Sequence, residues 1–259
     1  MSRHSERSAV MGSYSDLAGK VVVITGGSRG IGAETGRAFA AQGAKVCVVG
    51  RDVEALEGVV RGSEVALGLA ADVTDSAALA GVRERVEAEL GVVDVVAAFA
   101  GGQGFPVPTL ELTEERWREV IDADLTSAFL TVKAFLGGMA ERGSGAVLLM
   151  SSAAGRQPSR ANLAYGVANA GLVMFARHLA TEIGPKGVRV NCIAPSAILT
   201  ERVEKMMPGD IKEQVAKDHP LGRIGTPEDV AEVALFLASD ASKHLSGLTI
   251  DVAGGKVTA

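Results

Sequence analysis

The stretch VVVITGGSRGIG at residues 21–32 decides the fold. Its first part, Val21–Ile24, is a run of β-branched residues, which is typical of a strand buried on both faces of a parallel sheet. Gly26, Gly30 and Gly32 follow, and glycine allows a tight turn that brings backbone N–H groups close to a ligand. A helical pattern comes next, so the loop leads into the positive end of a helix. A strand before the glycines and a helix after them predict a nucleotide-binding loop.

Outward from this loop, the chain alternates short apolar runs with longer amphipathic stretches. Such alternation predicts βαβ units with helices on both faces of the sheet. We therefore predict an α/β fold, a single Rossmann-type doubly wound domain with a seven-stranded parallel sheet. After the first strand, the predicted strands are Lys45–Val49, Glu64–Ala70, Val92–Ala98, Ala146–Met150, Val188–Ile193 and Leu248–Val252. The predicted helices are Ile31–Gln42, two near 53–60 and 76–90, Thr113–Gly137, Asn162–Ile183 and one that starts at Thr226.

The composition limits the classes of function. The chain has 259 residues, 47% hydrophobic and 22% charged, so it has enough apolar residues for a large core and is not disordered throughout. A net charge of −5 argues against general nucleic-acid binding. No apolar stretch reaches the ~18 residues of a membrane span, so no membrane partner is predicted. Two cysteines form no disulfide framework, which favours a cytoplasmic location, and four scattered histidines predict no metal site.

Two segments stand apart from the alternating pattern. Residues 1–16 are polar and lack the apolar core of a signal peptide, so they predict a flexible N-terminal tail before a domain at 17–259. The segment at about 196–223 is irregular and follows a strand, at the end of the sheet where open α/β folds bind ligands. We predict a substrate loop or lid there, although a helix packed on the body explains the same pattern equally well.

The end of the second strand indicates which nucleotide binds. Folds that bind NAD usually place Asp or Glu there, on the ribose hydroxyl, but this chain has Gly50 followed by Arg51. Arg29 lies in the glycine loop itself, and guanidinium groups match phosphate geometry. The pattern favours NADP(H) over the alternative that both arginines are solvated surface residues.

Taken together, the motifs resemble those of the short-chain dehydrogenase/reductase family from about Leu17 to Gly255. The glycine loop has the family's spacing T-G-x-x-x-G-x-G, and the segments Ala71–Val73 and Arg189–Pro195 match two further family motifs. The resemblance implies a nicotinamide cofactor and a homo-oligomer, a tetramer or a dimer. It implies cofactor contacts at Gly26, Ser28, Arg29, Gly30, Ile31, Gly32, Arg51, Asp72, Val73, Ala100, Gly101, Tyr165, Asn169, Pro195, Ile198 and Thr200.

The catalytic positions that the resemblance implies are only partly kept. The family uses a tyrosine to exchange a proton with the substrate oxygen, and a serine thirteen residues earlier that binds the same oxygen; Tyr165 and Ser152 match both. The family's lysine, four residues after the tyrosine, is here Asn169. Its asparagine on an earlier helix corresponds to Asp124. Ser152, Tyr165, Asn169 and Asp124 are the predicted catalytic residues.

The missing lysine predicts a change of chemistry. A cation about 4 Å from a phenolate is worth up to ~4 kcal/mol at an effective dielectric of 20, or up to ~3 pKa units. Without it, Tyr165 should stay protonated at neutral pH, and an ionised Asp124 would raise the tyrosine pKa further. A protonated tyrosine can donate a proton but is a poor base for alcohol oxidation.

The sequence therefore predicts an NADP(H)-dependent oxidoreductase that reduces a ketone or activated carbonyl of a small molecule. Two alternatives remain open at this point. One is a nucleotide-binding relative with little redox turnover, because a fold does not by itself establish a function. The other is an enzyme that carries out enoyl or non-redox chemistry with the remaining tyrosine.

Overall fold

The strands form one all-parallel sheet, which confirms the predicted fold. The computed structural model describes residues 12–257 of the chain. The strands lie in the order β3-β2-β1-β4-β5-β6-β7, so the order of the strands reverses between β1 and β4 while their direction stays the same. Their bounds are β1 Val21–Thr25, β2 Lys45–Gly50, β3 Leu67–Ala70, β4 Val95–Ala98, β5 Gly145–Met150, β6 Val188–Pro195 and β7 Thr249–Val252.

Helices cover both faces of the sheet. One apolar cluster joins the sheet to α1, α2 and α9, and a second joins its other face to α3, α5 and α6. Neighbouring residues of β1 point into different clusters, Val22 into the first and Val23 into the second, and both are fully buried. The helices are α1 Gly30–Ala41, α2 Val53–Arg61, α3 Ser76–Glu89, α4 Glu114–Ile121, α5 Ser127–Arg142, α6 Leu163–Ile183, α7 Glu201–Met206, α8 Gly209–Lys217 and α9 Pro227–Ala238.

The predicted helix Thr113–Gly137 differs in two ways from the helices that form. A π-helical segment, Asp122–Thr126, separates α4 from α5, and it brings Asp124 into the interior at 4% exposure. The second half then runs on to Arg142 and ends at Gly143, whose φ of 73° makes a left-handed cap. A glycine ends a helix when it adopts this conformation, and Gly137 does not.

Two predicted strands are shorter than expected. The third begins at Leu67 and the fourth at Val95, three residues later than predicted in each case. Ahead of β4, the Asp94 carboxylate accepts a hydrogen bond from Val21 N at 2.9 Å, so a side chain takes the place of a ladder partner. Side-chain capping of this kind is not visible in hydrophobic periodicity.

The described part of the predicted tail contacts the domain, and the predicted lid contains helices. Of the predicted tail, residues 1–11 lie outside the described residues, while 12–16 contact the domain: Tyr14 N donates to Gln42 Oε1 at 2.8 Å and Asp240 N to Asp16 Oδ2 at 2.8 Å. The predicted lid contains α7 and α8. Within residues 12–257, none of the helices combines the length and apolarity needed to span a membrane.

Candidate active site

The loops that follow β1, β4, β5 and β6 meet at the carboxyl edge of the sheet. Because all strands are parallel, their C-terminal ends share this edge, and the reversal between β1 and β4 opens a crevice there. Thr25, the last residue of β1, ties two of the loops together. Its Oγ1 accepts hydrogen bonds from Phe99 N at 3.1 Å and Ala100 N at 3.3 Å. This edge therefore holds the residues predicted for both cofactor and substrate.

The backbone of the glycine loop packs so closely that two of its glycines cannot carry a side chain. A Cβ on Gly26 would lie 2.7 Å from Phe99 O, and one on Gly32 would lie 2.3 Å from Gly26 O. Gly30 begins α1 with a φ of 54°. Among residues 12–257, no side chain caps this helix, so its first N–H groups are left free to bind a ligand. An open helix N-terminus beside a backbone cradle is the donor set that a dinucleotide pyrophosphate requires. The residues present fit a dinucleotide.

The far end of this cradle carries the two predicted phosphate-binding arginines. Arg29 forms an ion pair with Asp52, whose other oxygen accepts from Ala55 N at 3.0 Å and caps α2. The Ala55 hydrogen bond and Arg29 together hold the pKa of Asp52 below its usual range. Arg51 is exposed and its charge helps to lower the pKa of Asp72. The sequence analysis missed Asp52, which fixes Arg29 at the end of β2.

The remaining predicted cofactor residues surround the same crevice. A Cβ on Gly50 would lie 3.2 Å from Ser28 Oγ, so glycine at this position lets Ser28 approach. Asp72 accepts hydrogen bonds from Thr74 N and Oγ1 at 3.0 and 2.7 Å, which lower its pKa most. Thr200 caps α7, and its methyl group would be 3.1 Å from a Cβ on Gly30. The others lie in α1, at the end of β6 or in the loops after β3, β4 and β6: Ile31, Pro195, Val73, Ala100, Gly101 and Ile198.

Tyr165 and Ser152, thirteen residues apart in sequence, are neighbours in the structure. Ser152 follows β5 and accepts from Ala154 N at 3.2 Å, while Tyr165 lies in the first turn of α6. Burial raises the pKa of Tyr165 above its ordinary value, and the charge of Asp124 raises it further. Hydrogen bonding by Ser152 and Asn169 opposes these effects without reversing them. The phenol is therefore protonated at neutral pH.

Asn169 lies one turn after Tyr165 and is 2% exposed. Its side-chain Nδ2 donates to the backbone oxygen of Tyr165 at 2.9 Å, and its own backbone oxygen accepts from Ser151 Oγ at 2.8 Å. The amide supplies hydrogen bonds but no charge. The position that carries a cation in the family resemblance is thus neutral in this chain.

Asp124 holds the loop that follows β4. Its Oδ1 accepts from Gly102 N at 2.6 Å and its Oδ2 from Gln103 N at 3.4 Å. Burial raises the pKa of Asp124 to about 6, while these hydrogen bonds and the charge of Arg116 act in the opposite direction. A Cβ on Gly101 would lie 2.5 Å from Oδ1, so the loop approaches the carboxylate closely. The carboxylate is therefore mostly ionised at neutral pH and is bound to backbone N–H groups.

One further residue at this site was missed by the sequence analysis. Asn162 is 1% exposed, and its Oδ1 accepts from Tyr165 N at 2.9 Å as the N-cap of α6. Its Nδ2 donates to Gln103 O at 2.8 Å and to Phe105 O at 2.9 Å. Asparagine is a common helix N-cap, so the sequence carried a signal for the first contact and none for the other two.

Known proteins are similar to this one over nearly the whole chain. Residues 26–256 match the family model described as enoyl-(acyl carrier protein) reductase. A 3-oxoacyl-(acyl-carrier-protein) reductase from Chlamydia muridarum is 37% identical over 92% of this chain and 98% of its own length. A solved structure of a Burkholderia thailandensis oxidoreductase of the short-chain dehydrogenase/reductase family has a TM-score of 0.85 at 35% identity and covers 93% of both chains. The chain belongs to the short-chain dehydrogenase/reductase family.

Relatives in the short-chain dehydrogenase/reductase family also include enzymes named for alcohol oxidation. A cis-4-hydroxycyclohexanecarboxylate dehydrogenase from Sinomonas cyclohexanicum is 38% identical over 92% of this chain and 97% of its own length. This short-chain dehydrogenase/reductase is accordingly an oxidoreductase that acts on carbonyl or hydroxyl groups and uses a nicotinamide cofactor.

Proposed function

We propose that the protein is an NADP(H)-dependent reductase of a ketone or related activated carbonyl on a small molecule. The observation that carries this proposal is the uncharged residue beside Tyr165: Asn169 stands where a cation would lower the phenol pKa, while burial and the charge of Asp124 raise that pKa. A phenol that stays protonated can donate a proton to an oxygen as negative charge develops on it. The same phenol is a poor base for an alcohol.

The proposed mechanism assigns one task to each side chain. The Ser152 hydroxyl hydrogen-bonds the substrate carbonyl oxygen and orients it. Tyr165 donates its phenolic proton to that oxygen as the C=O bond is reduced. When bound, the nicotinamide cofactor supplies the hydride. Asn169 donates a hydrogen bond to the backbone oxygen of Tyr165. Asp124 keeps the loop after β4 in place by accepting hydrogen bonds from Gly102 N and Gln103 N.

The names of relatives suggest the substrate class. One relative is named for 3-oxoacyl groups on a carrier protein and another for a hydroxycyclohexane carboxylate. Both names describe a substrate that has a ketone or hydroxyl group and also an acyl or carboxyl group. A 3-oxoacyl thioester and a cyclic ketone acid are therefore the first substrates to offer. Oxidation of NADPH in the presence of either, with no oxidation in its absence, would support the proposed function.

The cofactor preference yields a prediction for Arg51. Arg51→Ala should weaken NADPH binding about 10- to 100-fold and leave NADH binding unchanged, because a charge-assisted hydrogen bond contributes ~1.5–3 kcal/mol. Calorimetric titration with each dinucleotide measures both affinities. Arg61→Ala is the matched control, since Arg61 is an exposed arginine of α2 that pairs with Glu57. Equal affinities of the wild type for the two dinucleotides would contradict the NADP preference.

The two alternatives make different predictions in the same measurements. A protein with little redox turnover would bind NADPH and reduce none of the carbonyls. An enoyl reductase would oxidise NADPH with a 2-enoyl thioester and not with the 3-oxoacyl thioester, and the description of the matching family model favours including that substrate.

The protein is also proposed to form a homo-oligomer, a dimer or a tetramer. Phe135, Leu172 and Val173 pack in the core of the subunit, but α5 and α6 leave other large apolar side chains exposed. These are Phe129, Val167 and Met174, which are 48%, 43% and 59% exposed. Light scattering should give two or four times the mass of one chain. A monomeric mass at micromolar concentration would contradict this proposal.

A further inference from the structure

The side chain of Asn162 joins two parts of the candidate active site that are distant in sequence. Its oxygen caps α6, the helix that carries Tyr165, and its two N–H groups are both used on the loop after β4, at Gln103 O and Phe105 O. The amide is buried and its hydrogen-bonding groups are occupied. A side chain that makes three hydrogen bonds in the interior has one orientation, and the groups that it binds are fixed relative to each other.

The residue between those two carbonyl groups lies against the phenol ring. A Cβ on Gly104 would lie 3.1 Å from Tyr165 Cε1, 3.2 Å from Cδ1 and 3.3 Å from Cζ. The backbone at Gly104 therefore covers the ring at its Cδ1–Cε1 edge, where any larger residue would press on it. This contact depends on the two Asn162 hydrogen bonds, because they flank Gly104 on both sides.

The same loop is held at its other points by different partners. Asp124 binds the N–H groups of Gly102 and Gln103, and the guanidinium of Arg202, on α7, lies 4.9 Å from the centre of the Phe105 ring. Asp124 thus sets where the loop leaves β4, and Arg202 connects its tip to the predicted lid. Asn162 differs from both because it links the loop to the helix of Tyr165.

We propose that Asn162 is a positioning residue, which holds the loop at residues 103–105 against the ring of Tyr165 and so fixes the direction of the phenolic hydroxyl toward the substrate carbonyl. This role rests on the proposed function, in which Tyr165 donates the proton. A misplacement of about 1 Å at a reacting group can lower a rate about 10²-fold. Loss of the contact should therefore reduce the rate of the chemical step and not cofactor binding.

The test uses Asn162→Ser, which keeps an oxygen that can cap α6 and removes the two amide N–H donors. We expect kcat for carbonyl reduction to fall roughly 10- to 100-fold while NADPH affinity stays at the wild-type value. Hydrogen exchange should report roughly tenfold faster exchange at residues 103–105. Asp75→Ser is the matched control, because it makes the same kind of replacement at the N-cap of α3, where Asp75 accepts from Ala77 N at 2.8 Å.

Two outcomes would overturn the proposal. One is wild-type kcat together with wild-type exchange at residues 103–105 in Asn162→Ser. The other is a fall in kcat that Asp75→Ser reproduces, since that would reflect stability and not position. Asn162→Thr, which also keeps a capping oxygen, lacks the amide donors and adds no charge, gives the same decision where the serine variant does not fold. Hydrogen exchange needs no substrate, so it tests the contact even where the wild type reduces none of the offered carbonyls and the proposed function itself fails.

Discussion

Tyr165→Phe is expected to lower kcat for carbonyl reduction by about 10²- to 10⁴-fold, the usual contribution of a positioned general acid. The substitution removes one oxygen from a half-buried ring and leaves the packing of Gly104 on that ring in place. Water is then the remaining proton source for the substrate oxygen. Because the glycine loop and the arginines are unchanged and Tyr165 is only one of the expected cofactor contacts, NADPH affinity should change much less than kcat. Stopped-flow measurement of NADPH oxidation in a single turnover isolates the step that changes.

The chain offers a matched control for that experiment. It contains two tyrosines, and Tyr14 lies in the N-terminal segment, where its backbone N donates to Gln42. Tyr14→Phe should therefore have the wild-type rate. A Tyr165→Phe enzyme with a rate close to that of the wild type would contradict the assignment of the proton donor. The Ser152 hydroxyl, which hydrogen-bonds the phenol of Tyr165, would then be the next candidate for the proton donor.

The features that the sequence predicted well are those that depend on short-range pattern. The run Val21–Ile24 is apolar throughout because helices cover both faces of β1, and this periodicity survives in any parallel sheet. Gly26 and Gly32 belong to a short glycine pattern that the sequence shows directly, although Gly26 is required by a contact with Phe99 in the loop after β4 and Gly32 by one with Gly26. Ser152 and Tyr165 were predicted because their thirteen-residue spacing matches that of the family's serine and tyrosine, and the two side chains lie close together in the structure.

The features that it did not predict depend on contacts between distant segments. Asn162 is separated from Gln103 and Phe105 by more than 50 residues, so its two amide hydrogen bonds leave no local trace. The pairing of Arg29 with Asp52 was not predicted because the acid lies at the N-cap of α2, two residues after position 50 at the end of β2. The π-helical segment at Asp122–Thr126 was not predicted either, since one continuous helix was expected over Thr113–Gly137.

Asn169→Lys is expected to lower the pKa of Tyr165 by about one to three units and to raise the rate of alcohol oxidation at neutral pH by about 10- to 10³-fold. The wild-type phenol has a raised pKa because it is buried and near Asp124, and Asn169 adds hydrogen bonding without charge. An ammonium about 4 Å from the phenolate would stabilise it by up to ~4 kcal/mol at an effective dielectric of 20. Asp124, with a pKa of about 6, supplies a negative charge that helps to keep this lysine protonated above that pH.

The direction of the pH effect distinguishes charge from shape. A lower pKa means that the phenolate, the base for oxidation, forms at lower pH, so the rising limb of the oxidation rate should shift toward neutrality. Reduction should change little at neutral pH while the phenol remains mostly protonated.

In a Tyr14→Phe background, ultraviolet titration of tyrosinate reports Tyr165 alone, because the chain has two tyrosines. Asn169→Met matches the length of lysine without its charge and should keep the wild-type pH profile. If Asn169→Lys and Asn169→Met gave the same profile, the missing cation would not be what keeps Tyr165 protonated. The same would be concluded about its importance for the reaction if the lysine abolished activity that methionine retained. The neutral amide would then be an adaptation to a different reaction at this site.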